Sequence, residues 1–199
     1  GRFTNANLEG LSHRYRPFFP PAPSRREPAM TKCIFLAGAA SAIGRRLSPL
    51  LLANGWRVVG TTRSEDKVPL LKQMGVEPAV VDVYDAAKLR QVMAETRPEI
   101  VIHQLTDLPY GLEEDKMADA LVRNAHLRDV GTRNLIAAAM GAGAERLIAQ
   151  SIAFIYAEGA TPHLEGDALL PVTHPVFGGN MAGVISLERQ VLEAPLDGI

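Results

Sequence analysis

Residues 32–47 read KCIFLAGAASAIGRRL, an apolar run that leads into a loop of small residues and then into a basic stretch. A diphosphate needs a tight turn, a helix start with free N–H groups, and a small residue where helix meets strand. Gly38 supplies the turn and Gly44 the close packing. Ser41 takes the middle position, which is usually glycine, and its hydroxyl can donate to a phosphate oxygen. This stretch therefore predicts a strand, a diphosphate loop and a helix.

The loop predicts a dinucleotide site because it follows the first strand of a β-α-β unit. A small-residue loop between a strand and a helix also occurs as a purely structural turn, and its position after the first strand is what favours the ligand. The expected contacts come from the amides and small side chains of Gly38, Ala40, Ser41, Ala42, Ile43 and Gly44.

Beyond the loop, short apolar runs alternate with longer amphipathic stretches, which is typical of β-α units around a parallel sheet. Runs rich in Val, Ile, Leu or Phe predict buried strands at 32–37, 57–61, 78–82, 99–104 and 146–150. Helices are predicted at 43–54, 65–74, 86–95, 115–141 and 180–193. Right-handed crossovers then give an α/β fold, a Rossmann-type doubly wound parallel sheet in the order 3-2-1-4-5.

The chain divides into a short leader and one domain. Residues 1–29 mix arginine with proline and show no helical or strand period. We interpret them as a disordered leader, either a transit peptide or an extension ahead of a natural start at Met30. Residues 30–199 are long enough for one sizeable core and form the predicted nucleotide-binding domain.

The composition of the chain limits the classes of partner that it is expected to bind. A net charge of −1 and a pI near 6.6 speak against a nucleic-acid or membrane partner, which would favour a concentrated basic face. Cys33 is the single cysteine, no apolar run approaches the ~18 residues of a membrane span, and the five histidines lack metal-ligand spacing. We expect a cytoplasmic protein with a small-molecule substrate and no metal, and we leave a homodimer open.

The end of the second predicted strand favours NADP, with NAD as the other candidate. An NAD-selective site usually places Asp or Glu there, about 20 residues past the loop, to accept from the ribose hydroxyls. Here the strand runs into Arg63, which can fork onto a 2′-phosphate or can simply be a surface arginine. After the third strand, Asp82 and Val83 are placed to meet the adenine edge, although Asp82 can equally cap the following turn.

The order of these segments resembles the short-chain dehydrogenase/reductase superfamily, in particular its extended branch of NAD(P)-dependent epimerases and dehydratases. Gly38 to Gly44 resembles the glycine motif of that branch, and Asp82 with Val83 resembles its adenine-contacting pair. Residues 131–135 resemble its Gly-Thr-x-Asn-Leu helix, although Arg128 stands where an asparagine is expected. The motif after its fourth strand is matched by His103, Gln104, Leu105 and Thr106, of which the last three are expected to contact the cofactor.

The resemblance fails at the positions that carry the chemistry. Residues 150–157 resemble the Ser-Ser-x-x-x-Val-Tyr-Gly of the family, but its catalytic Ser/Thr position is Ile152. The register that aligns Glu188 with the family's glutamate puts Asn180 at the proton-donor Tyr position and Val184 at the Lys position. We therefore expect a non-standard active site, with Ser151 or Tyr156 as the catalytic hydroxyl.

One Tyr-x-x-x-Lys pattern does occur elsewhere, at residues 84–88. It follows the third predicted strand, far upstream of Ser151, and we interpret it as a coincidence.

Two functions remain open. The first is an NADP-preferring oxidoreductase or epimerase that acts on a small carbonyl, hydroxyl or nucleotide-sugar substrate. The second is a catalytically inactive dinucleotide-binding regulator or scaffold, which the absent Tyr/Lys pair favours. Members of the extended branch continue with a sixth strand and a small substrate domain, so we expect this chain, which reaches Asp197 just where that strand begins, to lack most of the substrate-binding part.

Overall fold

The computed structural model describes residues 32–109, 111, 113–175 and 177–198, so the predicted leader lies outside the described part. Six parallel strands form one sheet in the order β3-β2-β1-β4-β5-β6. Their bounds are β1 Cys33–Ala37, β2 Arg57–Thr62, β3 Glu77–Val80, β4 Ile100–His103, β5 Arg146–Ala149 and β6 Asp197–Gly198. The predicted fold class and the order of its first five strands are confirmed, and β6 adds a short edge strand beside β5.

Helices connect the strands as the sequence predicts, with small shifts at their ends. They are α1 Gly44–Ala53, α2 Val68–Gln73, α3 Ala86–Thr96, α4 Glu114–His126, α5 Thr132–Ala142 and α6 Gly178–Glu193. Short 3₁₀ turns span Glu65–Lys67 and Ala153–Ile155. None of the helices in the described ranges is both long and apolar enough to span a bilayer.

The predicted helix at 115–141 is helical throughout but is not uniform. A π-helical turn, Leu127–Gly131, separates α4 from α5. Hydrophobic periodicity did not reveal this wider turn, because apolar residues recur with the ordinary helical period within each of the two flanking helices.

The core has two layers, one on each side of the sheet. Every residue of β1 is buried, and its side chains alternate between the two layers because successive residues of a strand point to opposite faces. Phe35 belongs to the layer that contains Leu89 and Leu135 of α3 and α5, whereas Leu36 belongs to the layer with Leu51 of α1. This two-sided burial fixes β1 in the middle of the sheet, and the carboxyl ends of the strands then meet at one edge.

Candidate functional site

The site is a cavity of ≈ 480 Å³ at the carboxyl ends of β1 to β4. Its wall is formed by the loop after β1, the ends of β2 and β3 with the residues that follow them, and residues 104–106 after β4. This is the edge of a doubly wound sheet at which ligands bind, beside the strand where the chain reverses its winding direction. The predicted crevice therefore lies where the strand order requires it.

The loop after β1 is held in one shape by contacts that exclude larger residues. Gly38 has φ +92°, and a Cβ there would lie 2.5 Å from the carbonyl oxygen of Gln104. A Cβ on Gly44 would lie 2.3 Å from the carbonyl oxygen of Gly38. Glycine at both positions lets the loop fold back against β4 and lets α1 start directly beneath it.

Ser41 acts within the loop in a way that the sequence does not reveal. Its Oγ accepts a hydrogen bond of 3.0 Å from the Gly44 N–H, and its own N–H donates to the Gly38 carbonyl at 2.9 Å. The serine thus closes the first turn of α1, a task that glycine at this position cannot perform. Its hydroxyl hydrogen remains available for a second bond.

Three amides of the loop stay available for a ligand. Within the described residues, the N–H groups of Ala40, Ala42 and Ile43 donate to no acceptor. They lie just before α1, where the partial positive charge of the helix N-terminus adds to their own. Of the predicted loop residues, Gly38, Ala40, Ser41 and Ala42 border the cavity, while the side chain of Ile43 is exposed and Gly44 packs beneath the loop.

Three basic side chains border the same cavity: Arg45, Arg63 and Lys67. Arg63 follows β2 as predicted, with its guanidinium 4.0 Å from Asp107. The same carboxylate accepts from Arg123 Nε at 3.2 Å, so one negative charge is shared by two guanidinium groups and a positive charge is left over. The sequence interpretation did not assign Arg45 or Lys67, although their closeness to Gly44 and Arg63 along the chain was the available signal.

The end of β3 carries the predicted Asp82 and Val83, and both border the cavity. Asp82 Oδ1 accepts from the Tyr84 N–H at 2.9 Å, so the carboxylate caps a turn while it faces the cavity. Asn134 Nδ2 donates to the Val83 carbonyl at 2.9 Å and ties this segment to α5. Tyr84 also borders the cavity, and its ring lies 5.0 Å from that of His126.

The residues after β4 bring one buried side-chain acceptor to the wall of the cavity. Gln104, Leu105 and Thr106, which the sequence interpretation expects to contact the cofactor, border the cavity. The Gln104 Oε1 atom is buried and has no partner among the described residues. Such a buried acceptor is usually completed by water or by a ligand, and Gln104 is one of the residues that border the cavity.

His103 is 2% exposed, and its ring makes one hydrogen bond: the Leu105 N–H donates to Nδ1 at 3.2 Å. A neutral ring then carries its proton on Nε2, and that N–H is buried with no acceptor in the part of the chain described. Burial, and next the charge of Arg128, lower the pKa of His103 from 6.5 to about 4. The imidazole is therefore neutral at physiological pH.

Of the predicted catalytic hydroxyls, neither borders this cavity. Ser151 donates to Glu188 Oε1 on α6. The ring of Tyr156 stacks on His163, with ring centroids 5.0 Å apart and planes 6° from parallel. The structure thus brings together the predicted cofactor contacts but not, in the same cavity, the two hydroxyls.

The positions that depart from the family pattern do come together. Ile152 and Val184 pack in one apolar cluster with Met181. Asn180, one turn before Val184 on α6, accepts a hydrogen bond of 2.7 Å from Arg128. The positions at which the family register expects Ser/Thr and Lys are therefore part of an apolar cluster. The position at which it expects Tyr is an amide that holds a guanidinium.

Comparison with known proteins gives a family and several relatives. A family model described as NAD(P)H-binding matches residues 38–174. The 3-diazoavenalumate denitrifying reductase of a Streptomyces species is 37% identical over 168 residues, which cover 83% of this chain and 53% of that protein. The 4-hydroxy-2-methyl-3-oxo-4-farnesyl-3,4-dihydroquinoline-1-oxide ketoreductase of Stigmatella aurantiaca is 27% identical over 160 residues, covering 80% of this chain and 45% of that protein.

A solved structure shows the same fold. UDP-glucose 4-epimerase from Thermus thermophilus, in complex with NAD, matches with a TM-score of 0.62 and 24% identity. The match covers 82% of this chain and 52% of the epimerase. The chain thus spans about half the length of the relatives it matches.

Proposed function

This chain belongs to the NAD(P)H-binding family and is an atypical member of the short-chain dehydrogenase/reductase superfamily, and we propose that it binds NADP(H) in preference to NAD(H) and reduces a small substrate. One observation carries the cofactor preference: Arg63, Lys67 and Arg45 surround the cavity at the end of β2, where an NAD-selective site places a carboxylate. Two of the relatives are named as a reductase and a ketoreductase, which supports reduction over epimerisation.

Charge at the end of β2 favours a ligand with an extra phosphate. Asp107 offsets only part of the positive charge, because it is shared between Arg63 and Arg123. Arg63 is more than half exposed, and among the described residues it has no ion pair shorter than the one with Asp107, so its guanidinium can turn onto phosphate oxygens without losing a strong contact. An adenosine ribose with two free hydroxyls offers these cations nothing comparable.

The loop and the strand ends hold the rest of the cofactor. The amides of Ala40, Ala42 and Ile43 would donate to the diphosphate, and Asp82 with Val83 would contact the adenine. The amide oxygen of Gln104 would accept from a cofactor donor. The nicotinamide ring supplies a hydride when it is bound, and the protein must hold the substrate against one face of it and keep water out.

Replacement of Arg63 by alanine should weaken NADPH binding roughly tenfold or more, because one charge-assisted contact to phosphate is lost. NADH affinity should change little. The measurement is a titration of nicotinamide fluorescence with both cofactors. Arg90→Ala is the matched control, since Arg90 is exposed on α3 and outside the cavity. Equal affinity of the wild type for NADPH and NADH would contradict the preference.

The proton donor is proposed to be Tyr156 or Ser151, the hydroxyls nearest to the end of β5. Tyr156→Phe keeps the ring stacked on His163 and removes only the hydroxyl. We expect hydride transfer to fall about a hundredfold or more with NADPH affinity unchanged, as for loss of a general acid. Single-turnover oxidation of bound NADPH measures this step, and unchanged turnover in both Tyr156→Phe and Ser151→Ala would remove the two hydroxyls from the mechanism.

A dinucleotide-binding regulator or scaffold is the second candidate function. It is supported by Ile152 and Val184, which fill the Ser/Thr and Lys positions with one apolar cluster. Under this alternative the protein binds NADPH stoichiometrically and exchanges no hydride with a broad panel of carbonyl compounds. Turnover of any member of the panel would decide for the reductase.

A further inference from the structure

Asp107 lies between two guanidinium groups, one at the wall of the cavity and one on α4. Its Oδ2 accepts from Arg123 Nε at 3.2 Å, and its Oδ1 lies 4.0 Å from Arg63 Nη2. Among the described residues, no other carboxylate lies within 4.0 Å of either guanidinium. One negative charge is therefore the common partner of both cations, and of the two only Arg63 borders the cavity.

Helix α4 fixes the position of Asp107. The Asp107 N–H donates to Asn124 Oδ1 at 2.9 Å, and the buried Asn124 side chain donates in turn to the Ala120 carbonyl at 3.0 Å. Arg123, on the same helix, holds the carboxylate. Because the backbone and the side chain of Asp107 are both tied to α4, its charge stays in place when the Arg63 side chain moves.

The pair of Arg63 and Asp107 reaches across the crevice. Arg63 follows β2 and Asp107 follows β4, and β1 pairs with both of these strands. Neighbouring strands lie about 4.8 Å apart, so β2 and β4 are separated by roughly 10 Å. The two side chains therefore meet beyond the carboxyl end of β1, where the loop with the free amides begins.

The contact between Arg63 and Asp107 is weak enough for a ligand to replace it. The Arg63 side chain is 57% exposed and the carboxylate is 29% exposed, and ion pairs of this kind contribute little to stability. A phosphate oxygen would instead form a charge-assisted hydrogen bond of about 2.7–2.9 Å to the guanidinium. Asp107 and a phosphate at the cavity wall would thus compete for the same cation.

We propose that Asp107 is a specificity-determining residue, which competes with the 2′-phosphate of NADP for Arg63 and so limits the preference for NADP over NAD. Arg123 moderates this competition, because it neutralises part of the charge of Asp107. Asp107 acts through Arg63 and is therefore a positioning residue rather than a cofactor contact. The proposal rests on the proposed function for the cofactor and adds the group that sets the size of its preference.

The first test is Asp107→Asn, measured by fluorescence titration of the full chain with NADPH and with NADH. The change keeps the size of the side chain and the backbone N–H that donates to Asn124. NADPH should bind about threefold to fivefold more tightly than to the wild type, with NADH affinity unchanged. Glu95→Gln removes an exposed carboxylate on α3, outside the cavity lining, and should leave both affinities unchanged.

The second test is Arg123→Gln, alone and combined with Asp107→Asn. Alone, it leaves Asp107 with Arg63 as its one cation among the described residues, so NADPH affinity should fall about threefold. Combined with Asp107→Asn it should have no further effect, because the charge that Arg123 neutralises is gone. This non-additivity separates competition for Arg63 from a general loss of positive charge. Thermal unfolding of each variant reports whether the fold is kept.

Unchanged or weaker NADPH binding by Asp107→Asn would overturn the proposal, and so would an equal effect of Arg123→Gln in both backgrounds. Titration with adenosine 2′,5′-bisphosphate and adenosine 5′-monophosphate separates this inference from the proposed function. A wild type that binds NADPH no more tightly than NADH refutes the proposed preference. Even then Asp107→Asn must gain affinity for the bisphosphate and not for the monophosphate, and the absence of that gain refutes the role of Asp107.

Discussion

Replacement of Gly44 by alanine is expected to destabilise the domain by about 3 kcal/mol and to weaken NADPH binding by roughly a hundredfold or more. The added Cβ would lie 2.3 Å from the carbonyl oxygen of Gly38 and 2.6 Å from that of Ala39. Both neighbours are backbone atoms, so no side chain can move aside to relieve the contact. The loop must shift away from α1, and the free amides then lose their common direction.

Gly141→Ala is the matched control for Gly44→Ala. Gly141 lies in α5, and a Cβ there meets nothing within 4 Å. Because alanine favours a helix over glycine, this variant should be more stable than the wild type by up to about 1 kcal/mol, with NADPH binding unchanged. Urea unfolding and fluorescence titration measure both quantities. If Gly44→Ala binds NADPH as tightly as the wild type, the loop does not hold the diphosphate.

The second large effect is a loss of stability in acid that depends on His103. In the folded state, burial and next the charge of Arg128 lower the pKa of the His103 imidazole from 6.5 to about 4. Between these values the unfolded chain binds a proton that the folded chain does not bind. Stability is therefore complete above pH 6.5 and falls as the pH decreases towards 4, by roughly 3 kcal/mol in all.

The measurement is urea unfolding at pH 7 and at pH 4.5. Between these two pH values the free energy of unfolding should fall by roughly 2–3 kcal/mol more in the wild type than in His103→Gln, because the variant has no imidazole to be protonated at this position. His126→Gln, a change on the exposed side of α4, should keep the wild-type difference. If the free energy of unfolding falls equally in the wild type and in His103→Gln, groups other than His103 account for the loss of stability in acid.

The sheet order could be predicted from the sequence because it depends on local signals. Buried parallel strands appear as apolar runs, and their order follows from right-handed crossovers and the position of the loop. The cofactor cavity followed from the same information, since the carboxyl ends of parallel strands meet at one edge. Gly38, Arg63, Asp82 and Gln104, which the sequence places at the strand ends, all border that cavity for this reason.

Contacts between residues far apart in sequence could not be predicted. Arg128 and Asn180 are 52 positions apart, and Ser151 and Glu188 are 37 apart, so no periodicity relates them. The structure shows instead that Ser151 donates to a carboxylate on α6 and that a guanidinium reaches the register position of the family's tyrosine. The capping role of Ser41 was missed for a different reason, because a hydroxyl that can donate to phosphate can also accept from an amide.

The π-helical turn Leu127–Gly131 changes the direction in which α5 presents its buried side chains relative to α4. One residue more or fewer in a helix rotates everything beyond it by about 100° about the axis. The change of direction lets α4 bury Ala120 and Asn124, while α5 buries Leu135 and Ala138 against the sheet. Deleting one residue here would turn one of the two helices by about 100° and take its buried residues away from the neighbours they now pack against.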